Sequence, residues 1–368
     1  MTGYGIIGCG YCGSIHAQSI SQLPDARLAA VYDIDPDRAQ EMARRWGARA
    51  AASMSELCAD PAVDAVIVAT PNHGHFAPAL AALQQGRHVL CEKPVTLDLV
   101  ETFWLTDLAK WQNRVLFAGH VTNFIPGVQQ AAEYLAEGRI GELLVIQALH
   151  TDWAGPQPQV GWKQKKELSG GHLYHHMHEV DLICRFGGLP RRGFAPGKNL
   201  GHHGPGFGDE EDADMLLMQL EGGGFASLTI GSAFHMGQHS LLLQGTRGGI
   251  RLDFKHAYGL LQAGGETVRF GLHQTPEQDN ERREGYLRTA ADAGAGFGRP
   301  GMQTSSWMQS IFAEELQAFH SLIRQGAADP GTQRLTDGSA AVECALVLDA
   351  ASRSMACMQA VDVERKTC

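Results

Sequence analysis

Apolar and polar positions alternate in blocks through the first third of the chain. Residues 4–7, 28–32, 63–70, 88–91 and 115–119 are apolar runs of strand length, and the run at 63–70 has the β-branched content of a strand buried on both faces. Residues 36–46, 76–85 and 96–111 read as helices between them. The first opens on Pro36, an accepted first-turn residue, and the second is closed by Gly86. Strand and helix in strict alternation, with short connections, predict a doubly wound parallel sheet. Near residue 121 the pattern changes. Residues 127–138 read as a helix, 143–150 as a strand, and 172–186 as a helix that follows Ser169-Gly170-Gly171. Beyond Asp212, strand-length runs at 215–220, 225–232, 240–245, 250–254 and 259–263 follow one another directly, separated by glycine turns at 221–224 and 246–249. Consecutive strands with tight turns mean antiparallel pairing. Residues 271–305 show little periodicity and read as a long loop, before helices at 310–325 and 339–358. The fold class expected is therefore α/β: an N-terminal Rossmann-type, doubly wound parallel sheet over residues 1–121, then an α+β domain over 122–368 with a large, mostly antiparallel open sheet. The C-terminal helix is free to pack back on the first domain.

The first strand runs into Gly8-Cys9-Gly10-Tyr11-Cys12-Gly13. Gly8, Gly10 and Gly13 have the spacing G-x-G-x-x-G, in which the glycines allow a tight turn, close approach to a pyrophosphate, and close helix–strand packing. The amides of Tyr11 and Cys12 open the helix that follows, whose dipole favours phosphate. The second strand ends in Asp33, about 20 residues beyond the last glycine, where a carboxylate accepts from a ribose hydroxyl. These residues predict a dinucleotide site. Asp33 repels a 2′-phosphate, which favours NAD and leaves NADP as the second candidate. Cys9-x-x-Cys12 also fits a redox or metal motif, but no second C-x-x-C exists to complete a zinc site.

The 368 residues suit two domains better than one. A net charge of −10 provides no basic field for nucleic acid or anionic membrane, and no apolar run is long enough to span a bilayer. Eight scattered cysteines fit reduced thiols, and with no secretory pattern at the start the expected location is the cytoplasm.

Glu92-Lys93-Pro94 follows the fourth strand, and Gly170-Gly171 leads into a helix rich in histidine. With the glycine motif, these features make the chain resemble the Gfo/Idh/MocA family of NAD(P)-dependent oxidoreductases along nearly its full length. The resemblance implies nicotinamide and substrate at the domain junction, and homodimers or homotetramers that pair through the C-terminal sheet. It also implies roles. Lys93 contacts the nicotinamide ribose and the substrate hydroxyl, with Glu92 and Pro94 shaping its turn. Thr70, Asn72 and His75 lie along the cofactor, and Trp162 lies near the nicotinamide. Lys163 stands where the family has an arginine, losing the bidentate fork. His178 matches the family histidine, with Asp181 one turn on. His120 and His175 join Lys93, Lys163 and His178 as expected substrate contacts.

The chain departs from the family pattern on this helix. The usual aspartate four residues before the histidine falls on Tyr174, and His172, His175 and His176 are extra. At about 100° per residue, Tyr174, His178 and Asp181 share one stripe, and His172, His176 and Glu179 another. The second stripe has the spacing of a zinc site, weighed against histidines that hydrogen-bond the sheet or substrate. The hydrogen-bonding reading is taken, and no metal is expected.

Hydride transfer from a carbinol needs a base for the hydroxyl proton and a cation beside the developing alkoxide. Lys93 is assigned the charge, His178 the base, and Tyr174 orientation or relay. Trp153, Trp162 and Phe124 are candidates for stacking a sugar, and residues 201–206 and 271–305 for covering it. The resemblance implies NAD(P)-dependent oxidoreduction at a ring hydroxyl or ketone of a sugar, cyclic polyol or derivative. The alternatives are an NAD-assisted glycoside hydrolase or lyase, and a non-catalytic NAD or sugar sensor.

Overall fold

A computed structural model describes residues 1–289, 303–326 and 331–364. The chain forms two compact units, the first built from Met1–Val121 and Met308–Val342, the second mainly from residues 122–289 and 343–364.

In the first unit β1 (Thr2–Ile7), β2 (Ala26–Tyr32), β3 (Arg49–Ala50), β4 (Ala65–Val68), β5 (His88–Glu92) and β6 (Leu116–Gly119) form one sheet in the order 3-2-1-4-5-6. All of its pairs are parallel. The helices α1 (Tyr11–Gln22), α2 (Pro36–Trp46), α3 (Met54–Ala59), α4 (Phe76–Gln84) and α5 (Leu99–Trp111) are the crossovers. Their boundaries follow local chemistry. Asp35, Ser53 and Asp98 each cap a helix by accepting from its first amides, and Gly47 ends α2 in the left-handed region at φ 67°. β4 is buried at every position, as a strand covered on both faces must be. The strand order reverses between β1 and β4, and ligands bind beyond the strand ends at such a switch point.

The second unit holds α6 (Pro126–Ala136), β7 (Leu143–Trp153), α7 (Lys166–Ser169), α8 (His172–His175), α9 (His178–Gly187), β8 (Arg192–Phe194), β9 (Gly197–Lys198), β10 (Ala213–Gln219), β11 (Phe225–Gly231), β12 (Ala233–Gly245), β13 (Gly248–Asp253), β14 (Tyr258–Ala263), β15 (Glu266–Gly271) and α10 (Pro276–Thr289). Three helices follow: α11 (Ser306–Gln325), α12 (Gln333–Thr336) and α13 (Ser339–Cys357). A final strand, β16 (Val361–Asp362), joins the sheet of the second unit. That sheet has ten strands, in the order 15-14-13-12-7-11-10-8-16 with β9 paired to β10. Its pairs are antiparallel except β7 with β11. Ile146, Ala148, Leu228, Ile230, Leu241 and Leu243 are buried along one face. Met215, Leu217 and Phe225 stand exposed on the other.

Two expectations change. The helix read over 172–186 is two helices, because the backbone leaves helical geometry at His176 (φ −106°, ψ 36°) and restarts after Met177. Tyr174 and His178 therefore lie on separate helices, and a continuous 100° stripe does not relate them. The long loop read from residue 271 contains α10, a helix with almost no apolar periodicity whose start Asp279 fixes by accepting from the amides of Leu272 and His273. The rest of that segment, up to residue 302, lies outside the described residues.

Candidate functional site

The predicted site residues divide between the two units. In the first, the glycine turn has the shape its spacing implies. Gly8 sits at φ +100°, and a Cβ there would lie 2.5 Å from the Ala69 carbonyl oxygen. A Cβ on Gly13 would lie 2.0 Å from the Gly8 oxygen, so Gly13 is what lets α1 pack on β1. A Cβ on Gly10 would meet nothing within 4 Å, so the turn is open there. Gly10 is also the N-cap of α1, with no side chain capping it, and Tyr11 and Cys12 are its first residues. Asp33 braces the turn: Oδ2 accepts from the Cys9 amide at 2.7 Å and Oδ1 from the Asp35 amide at 2.9 Å. Arg38 pairs with Asp35 at 3.1 Å. Burial and the neighbouring Asp33 push the Cys9 thiol up to about 12, the opposite of a redox thiolate.

The loops after β4 and β5 are tied together. Thr70 Oγ1 donates to the Gly74 oxygen at 2.9 Å, and Asn72 is buried. The His75 ring, 1% exposed, lies with Nδ1 2.6 Å from the Pro94 oxygen and Nε2 2.8 Å from the Thr70 oxygen. His75 thus joins the two loops rather than reaching outward from them. The Lys93–Pro94 peptide is cis. Glu92 is buried with Oε1 2.9 Å from His16 Nε2; burial raises its pKa, but His16 and Lys93 outweigh burial and hold it below the ordinary value. Glu315 on α11, fully buried beside Glu92, is pushed well up by burial and by the Glu92 charge. Lys93 follows on this braced strand end and is half-buried. His120, just past β6, is fully buried.

In the second unit Gly170 and Gly171 take φ of 89° and 101°, turning the chain into α8. Tyr174 Oη lies 3.4 Å from Ser352 Oγ. His178 opens α9, and Asp181, fully buried on the same helix, accepts from Asn123 Nδ2 at 2.6 Å; Asn123 Oδ1 in turn accepts from Arg185 at 2.5 Å. Trp162 lies edge-on to His175, ring centroids 5.7 Å apart, and Lys163 Nζ is 6.0 Å from the indole centroid. One face of Trp153 is stacked on His235 at 3.8 Å, Phe124 is buried, and Trp162, like Trp153, is partly exposed. Residues 200–202 are held by Asp212, which accepts from three successive amides at 2.7 Å.

The structure also adds residues with no sequence signal. His150 on β7 and His239 on β12 stand directly opposite each other and both bond the Glu179 carboxylate. Their strands are separated by about 80 residues of sequence, and only the register reveals the pairing.

A model described as "Oxidoreductase family, NAD-binding Rossmann fold" matches residues 2–120, and one described as "Oxidoreductase family, C-terminal alpha/beta domain" matches residues 132–363. The chain belongs to the Gfo/Idh/MocA oxidoreductase family. Within the family it is 37% identical to an uncharacterised oxidoreductase of Streptococcus pneumoniae over 356 residues, 96% of each chain. It is 35% identical to the 2,7-anhydro-N-acetylneuraminate hydratase of Escherichia coli K12 over 355 residues, 96% of this chain and 95% of that one. A levoglucosan dehydrogenase solved with NADH and levoglucosan shares the fold, with a TM-score of 0.82 at 22% identity over 99% of this chain and all of that one. The N-terminal domain is thus an NAD-binding Rossmann domain, and the residues present fit the cofactor. The space over Gly10, which any side chain would occupy, admits a pyrophosphate, and Asp33 stands braced at the end of β2. Among the described residues no helix is long and apolar enough to cross a membrane.

Proposed function

We propose that this chain is a redox-neutral hydratase, opening or closing the ether bridge of an anhydro sugar by transient oxidation of a neighbouring ring carbinol. The observation that carries this reading is end-to-end similarity, at 35% identity, to an enzyme named for that kind of reaction. When bound, NAD would supply the acceptor for this oxidation and the donor for its reversal. Oxidising a carbinol to a ketone acidifies the adjacent C–H. A base takes that proton, the C–O bond to the next carbon breaks, and the departing ether oxygen takes up a proton to become a hydroxyl. Water then adds across the conjugated double bond, its oxygen bonding the vacated carbon and a proton returning to the acidified carbon, and reduction of the ketone would restore the carbinol. One water is consumed per bridge opened, and no net reducing equivalent is formed.

The developing charge and the carbinol proton each need a residue. Lys93, at the end of the strand braced by Glu92 and His16, supplies positive charge to the developing alkoxide and enolate oxygen. His178 takes the hydroxyl proton and gives it back, and Tyr174 orients it. Trp162 flanks the nicotinamide, and Lys163, His120 and His175 contact substrate hydroxyls. Thr70, Asn72 and His75 shape the loops along the cofactor. The Lys93→Ala variant is expected to lose at least 100-fold in turnover while retaining NAD affinity within a few-fold, read by nicotinamide fluorescence titration; normal turnover would remove Lys93 from the mechanism.

Net dehydrogenation of a sugar or polyol is the second reading, favoured by 33% identity over 222 residues to a protein named myo-inositol 2-dehydrogenase. The two readings separate on whether NADH accumulates. We further propose that two copies pair through the outer face of the ten-stranded sheet, on which Met215, Leu217 and Phe225 are each about half exposed beside half-buried Val145, Leu149 and Leu242.

A further inference from the structure

The inner face of the large sheet carries an imidazole cluster that the proposed reaction does not use. His150 and His239 are cross-strand partners in register on β7 and β12. Their rings stack at 3.9 Å, within 9° of parallel. Glu179, one residue past His178 on α9, points its Oε1 at both, 3.0 Å from His150 Nδ1 and 2.9 Å from His239 Nε2. The three ligand-type atoms lie within 4.8 Å of one another. This is not the stripe the sequence suggested: Glu179 meets two strand histidines rather than His172 and His176.

A second observation points to a missing ligand. Glu179 is 1% exposed, and its Oε2 is buried without a hydrogen-bond partner. Buried carboxylate oxygens are normally satisfied. Arg282, the nearby cation, makes its bonds to the Phe254 oxygen and His273 rather than to Glu179. His176 stands edge-on to His150 at 4.9 Å as the next nitrogen donor.

We propose that His150, Glu179 and His239 form a binding site for one divalent transition-metal ion, with zinc the best match to two imidazoles and a carboxylate. Zinc bonds of 2.0–2.1 Å place tetrahedral ligands about 3.4 Å apart, so the donors need to separate by a few tenths of an ångström. One of the stacked rings must also turn about its Cβ–Cγ bond to bring its lone pair onto a shared ion. In each ring the nitrogen that now faces Glu179 must be the one without a proton when the ion is bound. The fourth position is left to His176 or to water.

The test uses the full chain purified without a polyhistidine tag, stripped with chelator, and titrated with zinc chloride by calorimetry, with metal content read by plasma mass spectrometry. One ion per chain is expected, with affinity falling at least 100-fold in Glu179→Gln and in His239→Phe. A wild-type circular dichroism spectrum and thermal transition in each variant report that the second unit is folded. A flat titration of the wild-type chain overturns the proposal. So does unchanged zinc affinity in either variant, which would place the ion elsewhere. This site is independent of the hydratase reading, since metal content is measured without substrate.

Discussion

At the scale of the residue, the glycine turn separates two effects that one motif combines. Gly10→Ala places a methyl group in open space, at a backbone conformation of φ −78° that alanine accepts. It is expected to leave the urea midpoint unchanged and to weaken NAD at least 10-fold by titration. Gly13→Ala drives a methyl group into the Gly8 carbonyl, 2.0 Å away. It is expected to destabilise the first unit by about 2 kcal/mol or more, as overpacking does. A G10A variant that bound NAD normally would break the link between this turn and the cofactor. These glycines, Asp33 and the Glu92-Lys93-Pro94 turn were legible because chemistry and chain geometry impose a local spacing. His150, His239, His16 and Glu315 were not. Their partners lie on elements far away in sequence, and no local rule announces a cross-strand register or a buried carboxyl pair.

At the scale of the element, the parallel sheet was readable because its strands are buried on both faces and its helices carry explicit caps. Asp98 accepts from the amides of Val100 and Glu101 at 2.8 and 3.0 Å. Asp98→Ala is expected to cost about 1 kcal/mol in urea denaturation, the usual worth of such a cap. β3, α3, β8, β9, β15 and α12 escaped the pattern because they are short or carry few apolar residues. The break between α8 and α9 escaped it for another reason. No glycine or proline stands between His172 and Phe186 to mark a stop, so nothing local announces the break. The exposed sheet face gives a separate test. Leu217→Glu is expected to convert a dimer or tetramer into monomers in light scattering, and an unchanged assembly would exclude that face.

At the scale of the whole molecule, buried imidazoles couple folding to pH. Burial holds His88 down at about 4, aided by Arg114, and holds His239 and His273 down at about 3, aided by His150 and Arg282 respectively. Between the unfolded value near 6.5 and these lower values, the unfolded chain binds protons that the folded chain refuses, so stability falls as pH falls through that window. The urea midpoint is expected to drop from pH 7.5 to pH 5, and to drop less in His239→Phe; a flat profile would contradict neutral buried histidines. The proposed activity rests on redox neutrality. The most direct measurement incubates the protein with 2,7-anhydro-N-acetylneuraminate and a sub-stoichiometric amount of NAD, following the sugar by mass spectrometry and NADH by absorbance. The account expects many sugars hydrated per NAD, each gaining one water, with no accumulation of NADH. NADH appearing one-for-one with an oxidised sugar, or no conversion at all, would contradict it.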